Sequence, residues 1–265
     1  MLHAVGVRIA EAWALAAALQ LVLWLIQQRT HNAGIVDVGW AGAFALVVAL
    51  YAYRATSPTA AWLPIALVVA AWSIRLTAYL VARGAASSPE EGRYVDLRAR
   101  WAPHAARKFF IFFQAQAALV GILAIAFVVP FVATPWDSGG WLRALGVAIA
   151  ATGVLGETIA DAQLARWKRA HAGSVGVCDV GLLAYSRHPN YFFEWCVWIG
   201  HAVYGLAFGA WGLIGLLGQA IILGSILGVT GIPPTEAEAV RTKGDAYRAY
   251  QARVSRFIPR PPKRS

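Results

Sequence analysis

Seven apolar segments, each close to the length of a membrane-spanning helix, constrain what this chain can fold into. A helix that crosses a bilayer needs about 20 mostly apolar residues, and its backbone groups must bond one another because no water is present. The segments cover residues 9–27, 34–53, 60–82, 109–134, 141–163, 191–209 and 211–232. The sequence therefore predicts an all-α, polytopic integral membrane protein with seven transmembrane helices and a cytoplasmic C-terminal helix.

The composition supports this class, since 59% of the residues are hydrophobic and only 14% are charged. The net charge of +10 resides mainly in three polar segments, at 83–108, at 164–190 and in the tail from 233. With seven spans these segments share one side, and the excess of Lys and Arg in cytoplasmic loops places the N-terminus outside. This topology explains the basic charge without a nucleic-acid partner. We expect a multi-pass protein of a bacterial inner membrane or the endoplasmic reticulum.

The two cysteines, Cys178 and Cys196, support neither a disulfide framework nor a metal site. Residues 1–27 lack a small-residue cleavage site after their apolar run, so we interpret them as the first span rather than a signal peptide. We expect residues 1–265 to form one membrane domain. We also expect the protein to be a monomer in contact with the lipid bilayer.

A dense group of polar residues runs from Tyr185 to Tyr191, with the sequence YSRHPNY, and continues with Glu194. Such side chains are costly at a membrane boundary unless they bind a ligand or one another. Pro189 suits the first turn of a helix, where its missing N–H would have no partner. Asn190 and Glu194 are four residues apart and lie on one helix face. The pattern predicts a ligand site at the start of the sixth span.

A second polar stripe lies at the end of the fifth span, where Glu157, Asp161 and Lys168 fall roughly on one side of a helix. Two acids one turn apart repel each other, so each needs a donor or a cation. One interpretation is a salt-bridge lattice with Arg169 or Arg187. The other is a site that offers acceptors for ribose or amide groups beside cations for phosphate.

Asp37 stands inside the second apolar segment. A charged side chain there costs about 2.5–3.5 kcal/mol on insertion scales, so it needs a partner, water or a proton. Arg75 in the third span is the candidate partner, and Tyr79 lies one turn further along the same face. Asp37 is either a polar anchor between two helices or, with Tyr79, a proton donor to a substrate.

The tail carries an amphipathic segment in which Tyr247 and Tyr250 share one face. This segment is either a helix on anionic headgroups or a segment whose Tyr247, Tyr250 and Arg253 close over a cytoplasmic ligand. Thr235 followed by Glu238 fits a capping box at the start of the preceding helix.

Three of these stretches together resemble the C-terminal domain of membrane steroid 5α-reductases and related bacterial membrane reductases. They are Gly181-Leu182-Leu183 running into Ser186–Tyr191 and Glu194, Asp161-Ala162-Gln163 with Lys168, and Gly244–Tyr250 through Arg256–Pro259. Phe193 stands where that family has a glycine. The resemblance implies bound NADPH in a cytoplasm-facing cavity built by residues 109–135 and 141–265, with residues 1–108 on the substrate side.

The resemblance also implies roles for single residues. The positions that match cofactor contacts of the family are Asp161, Lys168, Asn190, Glu194 and Tyr250. His188, Tyr191 and Tyr247 are expected beside them. Arg187 and Arg253 are expected to bind phosphate, because guanidinium groups grip it at two points.

The implied reaction is the NADPH-dependent reduction of a carbon–carbon double bond conjugated to a carbonyl group, as in 3-oxo-5α-steroid 4-dehydrogenases. Hydride passes to the β-carbon, and an acid near the carbonyl oxygen stabilises the developing enolate. Asp37 and Tyr79 are the expected catalytic residues. The substrate is expected to be apolar, steroid-like and membrane-soluble.

Two other functions stay open. The chain also resembles isoprenylcysteine carboxyl methyltransferases and phospholipid methyltransferases, which implies bound S-adenosylmethionine. The residues that carry this second resemblance are Arg187-His188-Pro189, Glu236, Glu238 and Arg253-Val254. Asn190 and the stripe of Asp161 and Lys168 favour the reductase. The third function is that of a non-enzymatic lipid-binding protein whose polar residues join helices.

Overall fold

The computed structural model describes residues 1–87, 89–174 and 176–263, and α-helices joined by short turns make up most of it. Within these ranges no residue forms a β-strand, which confirms the predicted all-α class. The helices are α1 (Leu2–Thr30), α2 (Ile35–Tyr53), α3 (Leu63–Ala82), α4 (Gly92–Trp101), α5 (Ala105–Leu123), α6 (Gly140–Ala170), α7 (Pro189–Leu206), α8 (Gly215–Gly228), α9 (Ile232–Lys243) and α10 (Asp245–Arg253).

In the described part of the chain, six helical segments are long and apolar enough to cross a membrane. They are Leu2–Thr30, Ile35–Tyr53, Ala60–Ala82, Ala105–Ala126, Asp137–Ala170 and Gly209–Lys243. Each coincides with a predicted span, and together they make this a multi-pass membrane protein. The segment predicted at 191–209 forms α7 but is not among the six, because residues such as Asn190 and Glu194 lower its hydropathy.

The chain forms two compact units. The N-terminal unit comprises Met1–Trp141 and Gly205–Gly218, and therefore contains α1 to α5. The C-terminal unit comprises Leu142–Tyr204 and the chain from Gln219 onward, and therefore contains most of α6 and α7, the end of α8, and α9 and α10. Helix α5, which the sequence assigned to the cofactor-binding half, packs against α1 in the N-terminal unit.

Aromatic and hydroxyl side chains join α2 to α3 in the N-terminal unit. The rings of Phe44 and Trp72 meet edge-on with their centroids 5.4 Å apart, a geometry worth about 0.5–1.5 kcal/mol beyond simple burial. The Ser73 hydroxyl donates to the Ala41 carbonyl at 2.5 Å and accepts from the Ala45 N–H at 3.0 Å. Ser73 therefore fixes α3 to the backbone of α2.

Glycines let α6 and α7 approach closely within the C-terminal unit. A side-chain carbon added at Gly153 would lie 2.7 Å from the backbone nitrogen of Val197. Helices in lipid associate through such close contacts, because lipid removes the hydrophobic drive between them. Gly156 lies directly against the ring of Phe193. The bulk of Phe193 is therefore accommodated by a glycine on the neighbouring helix.

Helix α9 begins before the predicted capping position. Pro233 and Pro234 occupy its first turn, where a backbone N–H would have no partner within the helix, so the missing N–H of proline costs nothing. Gly231 precedes the helix. The Thr235 hydroxyl donates to the Gly231 carbonyl at 2.8 Å, so Thr235 lies within the helix. The prediction of a capping box formed by Thr235 and Glu238 is therefore wrong.

Candidate functional site

Ser186 fixes the polar stretch that leads into α7, and its side chain is fully buried. Its hydroxyl donates to the Phe257 carbonyl at 2.7 Å and accepts a hydrogen bond from the His188 N–H at 3.1 Å. The Arg187 N–H donates to the Ser255 carbonyl at 2.8 Å. These bonds pair backbone groups at the start of the helix and hold the tail after α10 against it.

The Arg187 side chain lies under this tail and is 8% exposed. Its Nε donates to Glu236 Oε1 at 2.6 Å, which forms an ion pair between α9 and the start of α7. One of its terminal nitrogens donates to the carbonyl oxygens of Gln251 at 3.0 Å and Val254 at 2.6 Å. The guanidinium is therefore directed to protein acceptors and joins α7, α9 and α10.

Glu236 is the centre of a group that we call the Glu236 cluster, formed by Arg187, His188, Glu236, Tyr247 and Gln251. Its carboxylate also accepts from His188 Nε2 at 3.2 Å and from Gln251 Nε2 at 3.1 Å. Burial, with a further contribution from the Glu236 charge, raises the pKa of Tyr247 to about 12. The phenol therefore keeps its proton at neutral pH, and one carboxylate holds a guanidinium, an imidazole and an amide.

Two further predicted tyrosines make contacts within the C-terminal unit. The Tyr250 hydroxyl donates to the Leu183 carbonyl at 2.6 Å, and burial raises the pKa of this phenol. The Tyr191 ring stacks on His188 at 5.6 Å between centroids, and its hydroxyl lies 3.4 Å from the Thr235 hydroxyl. Both tyrosines therefore join the motif before α7 to the closing part of the chain.

Asp161 and Asn190 meet where α6 and α7 pack together. Asp161 is 4% exposed, and the Asn190 amide nitrogen lies 3.4 Å from its Oδ1. Glu157, one turn before Asp161, is also buried, and Glu194, one turn after Asn190, is half-buried. The structure therefore joins the two polar stripes that the sequence predicted. A carboxylate beside an amide offers both acceptors and donors to a ligand.

Lys168 is exposed near the end of α6, and its charge acts together with that of Lys243 on the neighbouring Cys178. Burial raises the pKa of the Cys178 thiol, and the two lysines offset part of that rise. Lys243 Nζ stands 5.7 Å from the centroid of the Trp167 ring, which precedes Lys168 in α6. The end of α6 and the end of α9 therefore present two ammonium groups in one region.

Asp37 accepts hydrogen bonds from Arg93 and from the Tyr94 hydroxyl, the second at 3.0 Å. Tyr94 is 2% exposed, and burial raises its pKa, so the phenol keeps its proton at neutral pH. The Arg93 guanidinium also lies 4.6 Å from the centroid of the Tyr94 ring. Tyr79 is half-buried on α3, and the pairing of Asp37 with Arg75 stays a prediction.

The predicted site residues divide between the two units. Every residue predicted to bind the cofactor belongs to the C-terminal unit, whereas Asp37 and Tyr79 belong to the N-terminal unit. Arg187, His188 and Tyr247 meet in the Glu236 cluster. The other residues predicted to bind the cofactor lie in the remaining polar groups of the C-terminal unit, except for Arg253, which forms an exposed ion pair with Asp179 at 3.0 Å.

Sequence reasoning assigned no site role to Gln251 or Lys243 and did not pair Tyr94 with Asp37. Each lies on one of the short polar helices α4, α9 and α10. The available signal was a polar or aromatic residue on the buried face of an amphipathic helix. That signal identifies a buried face but not the partner that the face meets.

One of three comparisons with known proteins identifies a family. The family model described as "Protein of unknown function (DUF1295)" matches residues 23–254. No curated protein and no solved structure matches the chain.

Proposed function

The chain belongs to the family described as Protein of unknown function (DUF1295), and from the polar groups of its C-terminal unit we propose that it is an NADPH-dependent membrane reductase. The proposed reaction reduces a carbon–carbon double bond conjugated to a carbonyl in an apolar, steroid-like substrate. The likeness of its motifs to those of membrane steroid 5α-reductases supports this reaction class.

The pair formed by Asp161 and Asn190 carries the proposal. A nicotinamide carboxamide presents an acceptor and two donors, and an asparagine amide beside a carboxylate can match both kinds. The 3.4 Å separation is long for a hydrogen bond, so the Asn190 amide keeps capacity for a ligand. Glu194 adds a second carboxylate one turn along α7. The donor set therefore fits the nicotinamide end of NADPH.

We assign the phosphate groups to Lys168 and Lys243. Arg187 and Arg253, which the sequence favoured for phosphate, are engaged with Glu236 and Asp179 and act as positioning residues. The charges of the two ammonium groups both act on Cys178, so the groups lie near each other and repel. An anion between them removes that repulsion. Lys168 and Lys243 therefore fit the phosphate end of the cofactor.

Bound NADPH would supply a hydride to the β-carbon of the substrate. The residues of the chain hold the ligand and provide the proton. Asp37 and Tyr79 are the proposed catalytic residues, with Tyr79 as the proton donor. The Asp37 carboxylate accepts hydrogen bonds from Arg93 and Tyr94, which fix it in place as a substrate contact. A polar group held by fixed hydrogen bonds needs little reorganisation during the reaction.

The topology that accompanies this proposal has seven spans, with α7 as the sixth. The N-terminus lies outside, and α10 lies on the cytoplasmic side, where NADPH is available. The clustering of basic residues in three polar segments supports this orientation.

Titrations of the purified protein in detergent with NADPH and with S-adenosylmethionine test the proposal. We expect saturable binding of NADPH and none of S-adenosylmethionine. Asn190→Ala should raise the Kd for NADPH about tenfold or more, equivalent to about 1.4 kcal/mol. Asp37→Ala, in the other unit, should leave that Kd close to the wild-type value. A larger effect of Asp37→Ala than of Asn190→Ala would overturn the assignment of residues.

If NADPH binds, a screen of enone sterols for NADPH oxidation would define the substrate of the reductase.

A second candidate function is S-adenosylmethionine-dependent methyl transfer. The observation that favours it is the contact of Arg187 and His188 with Glu236, since these residues carry the resemblance to membrane methyltransferases. Saturable binding of S-adenosylmethionine without any NADPH signal would establish this function in place of the reductase.

A further inference from the structure

A groove of about 490 Å³ opens on the exposed side of α6 in the C-terminal unit. Leu155, Ile159 and the Phe193 ring form its apolar wall, and Gly156 lies between them. Leu155 is 64% exposed and Ile159 is 49% exposed, so the groove is open along its length. Gln163 marks one polar end. No step of the proposed reduction uses this groove.

The position of the groove along α6 relates it to the bilayer. Arg143 and Arg166 bracket a stretch of α6 whose exposed face is mostly apolar, and they lie roughly 34 Å apart at about 1.5 Å per residue. That distance is close to the hydrocarbon thickness of a bilayer, about 30 Å. The exposed side chains of Leu155 and Ile159 therefore face lipid tails rather than water.

The length of the groove matches one leaflet. From Thr152 to Gln163 it runs about 16 Å along the helix axis at about 1.5 Å per residue. Half of a hydrocarbon core of about 30 Å is about 15 Å. The groove therefore begins near the bilayer midplane and ends near the headgroups on the Arg166 side.

The headgroup end of the groove is polar and cationic. Gln163 Oε1 accepts from the Leu182 N–H at 2.8 Å, and Tyr185 lines the same end with 48% of its surface exposed. Arg166 lies one turn beyond Gln163, is exposed, and makes no ion pair with any described residue. Arg169 follows one turn later and adds a second positive charge. An exposed guanidinium at this depth attracts an anionic headgroup, because it binds phosphate at two points.

We propose that this groove is a binding site for an anionic phospholipid of the surrounding bilayer. One acyl chain lies along Leu155, Ile159 and Phe193, and the headgroup phosphate meets Arg166. The apolar wall, the length of one leaflet and the cation at one end each match a part of such a lipid.

Native mass spectrometry of the full-length protein tests the proposal, with lipid binding read as retained adducts. The probes are a phosphatidylglycerol and a phosphatidylcholine with identical acyl chains. We expect the wild-type protein to retain the phosphatidylglycerol at roughly tenfold lower lipid concentration, a ratio that corresponds to one headgroup contact of moderate strength. Equal retention of the two lipids would overturn the headgroup assignment.

Two pairs of variants locate the site. Ile159→Trp fills the groove and should reduce retention of both lipids, whereas Leu145→Trp places the same side chain at an exposed position of α6 outside the groove and should not. Arg166→Gln should remove the preference for phosphatidylglycerol, whereas Arg100→Gln removes an exposed charge in the other unit and should not. If Ile159→Trp retained both phospholipids as the wild-type protein does, the proposal would be overturned. Loss of sterol binding in that variant, with phospholipid retention intact, would also overturn it. NADPH binding, measured on the same samples, reports on the proposed function separately.

Discussion

At the scale of single residues, Glu236 is the acceptor on which the contact between α7, α9 and α10 depends. It receives hydrogen bonds from Arg187, His188 and Gln251, and its side chain is 15% exposed. Removing one member of a buried ion pair leaves the other charge uncompensated, which costs about 3–5 kcal/mol. The Glu236 cluster therefore stabilises the protein only while each charged member keeps its partner.

Replacement of this carboxylate tests that view. Glu236→Gln keeps the size of the side chain but leaves Arg187 without its counter-ion, so we expect the free energy of unfolding to fall by about 3 kcal/mol. Thermal unfolding in detergent should then shift downward by several degrees. Glu238→Gln is the matched control, because the ion pair of Glu238 with Arg241 is exposed and such pairs contribute about 0–1 kcal/mol. Equal shifts in the two variants would contradict the buried role of Glu236.

Local spacing predicted some of these residues but not their partners. Asn190 and Asp161 each stand on a polar helical stripe, so the sequence identified both before their contact was known. Glu236 is bonded to a residue 49 positions away, and no periodicity connects α9 with the start of α7. The ion pair of Arg187 could therefore not be foreseen, and a guanidinium next to a ligand motif was interpreted as a phosphate contact.

At the scale of elements, the contact between α6 and α7 depends on glycine. The atoms that would clash with a side chain at Gly153 belong partly to the backbone of α7, at 2.7 Å, and a backbone cannot rotate aside. Phe193 covers Gly156 in the same way with its ring. Asp161 and Asn190 lie on these two helices, so their separation depends on the same packing.

Alanine substitution separates the effect of packing from that of helix propensity. Gly153→Ala should destabilise the protein by about 1–3 kcal/mol through overpacking, since the neighbouring backbone must move. Gly224→Ala, in α8, should stabilise it by about 0.5–1 kcal/mol, because no atom lies within 4 Å and alanine favours a helix. Opposite shifts in the thermal midpoint are therefore expected. Shifts of the same sign would show that α6 and α7 do not pack as described.

Helix existence could be predicted from hydropathy, whereas helix ends depended on local chemistry. The apolar run at 9–27 identified α1, but the helix extends over Leu2–Thr30 because polar residues such as Gln28 and Arg29 continue it beyond the apolar window. At α9 the tandem prolines set the start, and they outweighed the pattern that pointed to Thr235. Membrane insertion fixes the apolar centre of a helix, and its ends follow from caps and prolines.

At the scale of the whole molecule, α7 decides the topology. The six helical segments that are long and apolar enough to cross a membrane give an even number of crossings in the described part of the chain. Adding α7 makes the number odd and places the two termini on opposite sides. The polar residues that lower the hydropathy of α7, Asn190 and Glu194, are those assigned to the cofactor. Intramembrane polar residues are tolerated where they face the interior of a helix bundle or a ligand.

Reporter fusions at the two termini determine whether α7 crosses. We expect a C-terminal fusion to green fluorescent protein to fluoresce and a C-terminal fusion to alkaline phosphatase to be inactive, because an excess of Lys and Arg such as that of the tail favours the cytoplasmic side. At the N-terminus the same reporters should give the opposite result, with active alkaline phosphatase and no fluorescence. An added transmembrane helix carries the reporter across the membrane where export requires it. Removing the positive charge at the end of α6, at Arg166, Lys168 and Arg169, should weaken this orientation and produce a mixture of signals. Two termini on the same side would mean that α7 does not span the bilayer, and the assignment of Asn190 and Glu194 to a cytoplasm-facing cofactor site would then fail with it.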